Sequence, residues 1–189
     1  SFGTESTQLK DLHNRTKANA FTTDITAAKG EIIKSKINEP AREYVSKGYE
    51  DDPIINEPDH LYTSNEMDVT IDAFIGGEQT VTIRTTVSTI LDVYSLEVLN
   101  IKGAENIEKV EAFVTGQILS NYFGRPERDS SPATVYVDMS VDVENSRLYT
   151  VFNTFGKLPG EQNQIFLDIT VTDSGGGQYR YIYDVTDQF

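Results

Sequence analysis

The sequence predicts an all-β protein: a β-sandwich of seven or eight mostly antiparallel strands behind a largely irregular N-terminal segment. Three observations carry this expectation. From Asp59 onward, apolar residues recur with a period of two, the signature of strands whose successive side chains point to opposite faces. The connections between these segments are short and built from Gly, Asn, Asp and Ser, which favours antiparallel neighbours. Each alternating segment also has one apolar and one wet face, as two sheets packed through their inner faces require.

Taken in chain order, residues 1–23 are polar with scattered apolar points at Leu9, Leu12 and Phe21, and read as a poorly packed arm. Thr23 and Asp24 precede Ile25, Ala27, Ala28, Ile32, Ile33 and Ile37, a capped segment with helical spacing that predicts a short helix over 25–37. Pro40 ends it, and Glu50-Asp51-Asp52-Pro53 through Glu57-Pro58 has the charge and proline punctuation of a linker. The expected organisation is therefore an extension over 1–58 and a sandwich domain over 59–189. Within the sandwich, Val69 and Ile71, then Val81, Ile83, Thr85 and Val87, mark the first two strands, separated by Ile75-Gly76-Gly77-Glu78. Gly103–Ile107 is a helical turn or loop ahead of a strand at Val110–Thr115. Val135, Val137, Met139, Val141 and Val143 predict one long strand whose reverse face is wet and acidic, with Glu144-Asn145-Ser146 turning into a strand over Leu148–Phe155. Ile165, Leu167, Ile169 and Val171 predict another, with Asp168, Thr170 and Thr172 on the wet side. Asp173-Ser174-Gly175-Gly176-Gly177 then supplies a hairpin loop, because glycine accepts the positive φ of tight reversals. In the last strand Tyr179, Tyr181, Tyr183 and Val185 share one face, and Arg180, Ile182 and Asp184 the other. Residues 1–56 could fold back over an open sheet edge, an idea motivated by their sparse apolar points.

The chain has 189 residues, 38% of them apolar, which is enough for one packed core. Its formal net charge is -14, with 8 basic and 11 acidic groups in residues 1–60 and 8 and 19 in residues 61–189. So acidic a surface repels polyanions, which argues against nucleic-acid and anionic-membrane partners. Zero cysteines exclude disulfides, thiolate metal sites and cysteine nucleophiles. No apolar run approaches the length of a spanning helix. The chain starts at Ser1 rather than Met, which suggests processing and leaves export open.

Candidate chemistry is sparse, and the expectation is that the protein is not an enzyme and carries no cofactor or metal. His13 and His60 lie in the front third with no ligand spacing around them and read as solvated surface residues. Asp138 and Asp142 stand roughly 13 Å apart along an extended strand, too far for either glycosidase geometry. Asp168 could come closer from a neighbouring strand, but acids on a wet strand face usually serve solvation. Glu50-Asp51-Asp52 and Asp173-Ser174-Gly175 lack the alternating register of a calcium loop. Gly175–Gly177 precedes a strand rather than a helix and so cradles no phosphate. Aromatic residues remain. Tyr122 and Phe123, in a loop running to Pro126, and Tyr179 and Tyr181, on the last strand, are the candidate contact residues; the strand tyrosines otherwise read as core.

Asn153-Thr154-Phe155-Gly156-Lys157-Leu158-Pro159-Gly160, followed by a strand, a Gly-rich hairpin and the terminal Tyr183-Asp184-Val185-Thr186-Asp187-Gln188, resembles a family of Bacteroides cell-surface lipoproteins. These are fimbrillin-like proteins of uncharacterised function, similar to fimbrial anchor and accessory subunits. Glu57-Pro58-Asp59-His60-Leu61-Tyr62 and Ile101-Lys102-Gly103-Ala104-Glu105-Asn106-Ile107 look like further phrases of the same pattern. The resemblance runs from about residue 57 to the end. It implies a transthyretin-like Greek-key sandwich, export, and a lipid anchor on a cysteine upstream of Ser1 as the only membrane contact. It also implies a non-catalytic role in adhesion or fimbriae, with other fimbrial or cell-surface proteins as partners, joined by strand addition. The alternative is a carbohydrate-binding module of a surface glycan-capture system that stacks sugars on its tyrosines. A hydrolase built on acidic pairs is the third and weakest reading.

Overall fold

A computed structural model describes residues 6–14, 16–34, 51–64, 82, 84–124 and 127–189. The described residues form thirteen strands and one α-helix: β1 (Thr7–Lys10), β2 (Asn19–Thr22), α1 (Thr26–Lys34), β3 (Ile54–Asn56), β4 (Tyr62–Ser64), β5 (Val87–Thr89), β6 (Asp92–Val98), β7 (Ile107–Ile118), β8 (Ser120–Tyr122), β9 (Pro132–Asp138), β10 (Ser140–Asp142), β11 (Arg147–Thr154), β12 (Phe166–Asp173) and β13 (Gln178–Asp184). The protein is all-β and sandwich-like. A five-stranded sheet in the order β13-β12-β7-β9-β3 faces a three-stranded sheet in the order β10-β11-β6, with β1-β2-β8 and β4-β5 as smaller sheets.

The main core lies between the two larger sheets. Alternate residues of β7, β9 and β12 (Val110, Ala112, Val114; Ala133, Val135, Val137; Leu167, Ile169) meet Leu148 and Phe152 of β11, with Tyr94, Leu96 and Val98 of β6 completing the layer. The apolar alternation in these segments thus faces inward, as the periodicity predicts. Burying side chains of this size stabilises a fold by about 1.5–3 kcal/mol each. The hairpin after β12 is held by Asp173, whose Oδ1 accepts from the Gly175 and Gly177 N–H groups at 2.9 and 2.8 Å. The region before β7 is a short 3-10 turn over Ala104–Asn106, entered through Gly103 at φ 76°.

Four expectations are corrected. The long strand over 135–143 is two strands: β9 pairs with β7, and β10 pairs with β11 in the opposite sheet. Met139 stands at the crossing with its side chain in the core, so Val135, Val137, Met139 and Val141 all point to the same interior from two different sheets. Secondly, the arm over residues 1–23 is structured, since β1 and β2 form an antiparallel hairpin that continues onto β8. Ala20, Leu61, Leu91, Ile118 and Phe155 make a second core beneath it, joined by Leu9 and Phe123. Thirdly, the reverse face of β12 is not wet: Phe166, Asp168 and Thr170 are buried there. Ile25 and Ile32 of the α1 segment cover that face together with Ile54, Phe113, Tyr136 and Ile182. Finally, the added N-terminal and short strands raise the count beyond seven or eight.

The helix begins where the cap predicts, with Asp24 Oδ1 accepting from the Thr26 N–H at 2.8 Å. Residues 35–37 of the expected helix, Glu50, and the segment with Val69, Ile71, the Ile75–Glu78 turn, Val81 and Ile83 lie outside the described residues; Val87 is in β5. β3 pairs in parallel with β9, Ile54 opposite Thr134 and Ile55 opposite Val135, so a segment from the first 56 residues does occupy an edge of the five-stranded sheet.

Candidate functional site

The five-stranded sheet is wider than the sheet it faces, and the mismatch opens one side of the sandwich between β13 and β6. Tyr179, Tyr181 and Tyr183 stand opposite Val171, Ile169 and Leu167 of β12 in the ladder, so they share the inner face of the sheet. Among the described residues no strand closes over them, and they remain 42%, 47% and 46% exposed. The period of two predicts these three on one face, as core or, if that face is exposed, as a contact surface. The structure keeps the face and leaves it half exposed: the stripe is the wall of a cleft.

The cleft measures about 550 Å³. Its floor is apolar, from Ile107, Leu148, Ile169 and Val171, and the wall facing the tyrosines is the β6–β7 connection from Val98 to Gly103. Asn100, Lys102, Asn106 and Asp173 supply polar groups around it. Mixed apolar floors with a few polar groups, in this size range, are typical of small-ligand sites. The connection is held in place by the Ile101 N–H donating to the Ser146 carbonyl at 2.8 Å and by Asn100 in a left-handed turn at φ 60°. A second stretch of about 450 Å³ continues past Val98 and Tyr183 along β6 to the C-terminal Phe189. There the Phe189 ring packs on Tyr94 with centroids 4.4 Å apart, filling that end.

Tyr122 and Phe123 lie elsewhere. Tyr122 ends β8, and Phe123 packs partly buried against the second core under the β1–β2 hairpin. Val171 pairs with Val110 near the start of β7, whereas β8 follows the far end of that strand. The four candidate contact residues therefore fall into two places, and only Tyr179 and Tyr181 line the cleft. Tyr183, Leu99, Ile101 and Lys102 join them there. Tyr183 was legible from the same two-residue period; the apolar residues of the connection carried no periodic signal.

The acidic candidates separate too. Asp138 accepts from the Tyr136 hydroxyl at 2.6 Å, Asp142 from Arg147 and Asn145, and Asp168 from the buried Arg180. Glu111 is buried beside Tyr136, with Lys29 of α1 at 2.6 Å and Lys109 at 2.9 Å. Burial works to raise its carboxyl, but hydrogen bonds from Lys29, Lys109 and Tyr136 outweigh that and hold it below the usual carboxylate range. Burial and the adjacent carboxylates drive the Tyr136 hydroxyl strongly upward, so it stays protonated as a donor. An acidic recess of about 770 Å³ lies nearby, lined by Glu57, Asp59, Asp138, Tyr136 and the exposed His60. Burial, reinforced by Asp59 and Asp138, pushes Glu57 up against the opposing pull of the Asn153 N–H and His60. Among the described residues no group of three or more His, Asp or Glu side chains is arranged to hold a metal ion. His13 is exposed in the β1–β2 loop. Among the described residues no helix is long and apolar enough to cross a membrane.

An all-β, sandwich-like protein with one open, tyrosine-walled side is the class that fold and site define. The chain belongs to the family described as Domain of unknown function (DUF5119), which it matches over residues 2–138. That match runs continuously through the N-terminal strands, the helix and the sandwich as far as β9. None of the curated proteins matches the chain. In fold it is similar to the crystal structure of a putative adhesin from Bacteroides ovatus, with a TM-score of 0.62 at 16% identity. The similarity covers 99% of this chain and 63% of that one, so the chain spans less than two thirds of its structural neighbour.

Proposed function

We propose that this protein is a non-catalytic cell-surface adhesion protein, associated with fimbriae or related surface structures and exported as an outer-membrane lipoprotein. The observation that carries the reading is the fold similarity to the Bacteroides ovatus protein over 99% of the chain. The resemblance of the 153–160 and 183–188 phrases to fimbrillin-like lipoproteins supports the lipid-anchored and fimbrial parts of it. The open cleft between β6 and β13 gives such a protein a place to hold what it contacts, on the side away from the edge occupied by β3. The acidic residues the sequence offers for a hydrolase, Asp138, Asp142 and Asp168, are each tied into separate ion pairs or hydrogen bonds.

The test is made in the source cell. Surface proteolysis of intact cells should remove the protein, and deletion of its gene should reduce attachment or alter fimbriae. Protection of the protein in intact cells, with unchanged attachment in the deletion strain, would reject the reading.

A further inference from the structure

We infer that the cleft between β6 and β13 binds a short neutral oligosaccharide, with Tyr179, Tyr181 and Tyr183 as its stacking wall. The inference rests on the adhesion reading only in naming what the adhesive surface holds.

The first argument is the chemistry of the wall. Each tyrosine presents a half-exposed ring, and none of the three hydroxyls has a hydrogen-bond partner among the described residues. An acyl chain laid over them would strip water from three hydroxyls without replacing those bonds, which is costly. A pyranose ring has an apolar C–H face bordered by hydroxyls that both donate and accept. It therefore satisfies a tyrosine face and a tyrosine edge together.

Length is the second argument. Alternate residues of a strand stand roughly 7 Å apart, so the three rings span about 14 Å, the extent of two to three linked pyranoses. Past Tyr183 the groove runs on as far as the stacked rings of Phe189 and Tyr94, which bound it at that end.

Charge is the third. The lining carries one cation, Lys102, and one anion, Asp173, whose Oδ1 already accepts two turn N–H groups. A neutral lining in a chain of net charge -14 selects an uncharged ligand and repels sulfated or uronic polymers. Asn100, Asn106 and Lys102 are among the lining residues, and amide and ammonium groups suit sugar hydroxyls.

The experiment is isothermal titration of the full chain with neutral gluco-, manno-, xylo- and galacto-oligosaccharides of two to six units, with heparin as the anionic control. At least one neutral series should bind and heparin should not. Tyr181→Ala should weaken that binding about tenfold, Tyr181→Phe by less, and Tyr149→Ala, on the outer face of the other sheet, not at all. Melting curves of the variants separate a binding defect from a folding one, and Tyr181→Phe retains the ring. The inference is overturned if no neutral sugar binds, if heparin alone binds, or if binding ignores both Tyr181 variants. Self-association that depends on Tyr181, in place of sugar binding, would assign the cleft to a polypeptide and also overturn it. Retained cell attachment with no sugar binding rejects this inference and leaves the adhesion reading standing.

Discussion

Arg180 and Asp168 offer the sharpest energetic test of the fold. The two residues are 5% and 1% exposed on the outer face of the five-stranded sheet. Arg180 stands opposite Thr170 in the ladder and reaches diagonally to Asp168, donating from Nε to Oδ1 at 2.8 Å and from Nη2 to Oδ2. Arg180→Met keeps most of the side-chain volume and removes the guanidinium, leaving a carboxylate that water cannot reach. Breaking one side of such a buried pair costs about 3–5 kcal/mol. At roughly 2–4 °C per kcal/mol for a chain of this size, Tm should fall by about 6–20 °C. The double variant Asp168→Leu with Arg180→Met should regain most of that loss, because two apolar groups need no solvation. Circular-dichroism melts and urea titrations at pH 7 on the three proteins make the comparison. A Tm for Arg180→Met within about 2 °C of the parent, or a double variant less stable than the single one, would refute the account of this pair as a buried charge interaction.

Two further outcomes are expected. Gly156 has φ 120°, and a Cβ there would lie 1.8 Å from Arg128 Nη1 and 3.0 Å from Asp92 Oδ2. Gly156→Ala should therefore cost about 2–4 kcal/mol through backbone strain and loss of the Arg128–Asp92 pair; in an Arg128→Ala background the same change should cost less, by urea titration. Glu111 is held below its unfolded pKa, so its contribution to stability is present above that unfolded value and is lost as pH falls through the lower, folded one. Lys29→Met removes one cause of the depression, so its Tm deficit should be largest near pH 7 and shrink below about pH 4; a deficit constant from pH 3 to 7 would contradict the linkage.

How far the fold could be read from the residues depended on how local each cause was. The inner faces of β9 and β12 were legible because alternation is a property of a few consecutive residues. The break at Met139 was not, since a strand that changes sheets keeps the same side chains pointing into the same core. β1 and β2 carry no periodic signal because these four-residue strands bury Thr7, Ala20 and Thr22, small or polar groups that look like loop sequence. Asp168 looked wet because its burial is caused by residues far away in the chain, with Arg180 beside it and Ile25 and Ile32 over the same face. The tyrosine stripe lay between these cases. Its common face followed from periodicity, whereas its exposure follows from the relative widths of two sheets.

The parallel pairing of β3 with β9 also sets an order of events. Ile54 waits for Thr134, about 80 residues later, and a parallel partner cannot be reached by a simple hairpin. Closing so long a loop is slow unless the template already stands, so β7 and β9 must pair before β3 can join them. β3, though early in the chain, is therefore secured late. Until then the β9 edge is open to any other strand, which makes it the place where the chain is most exposed to mispairing.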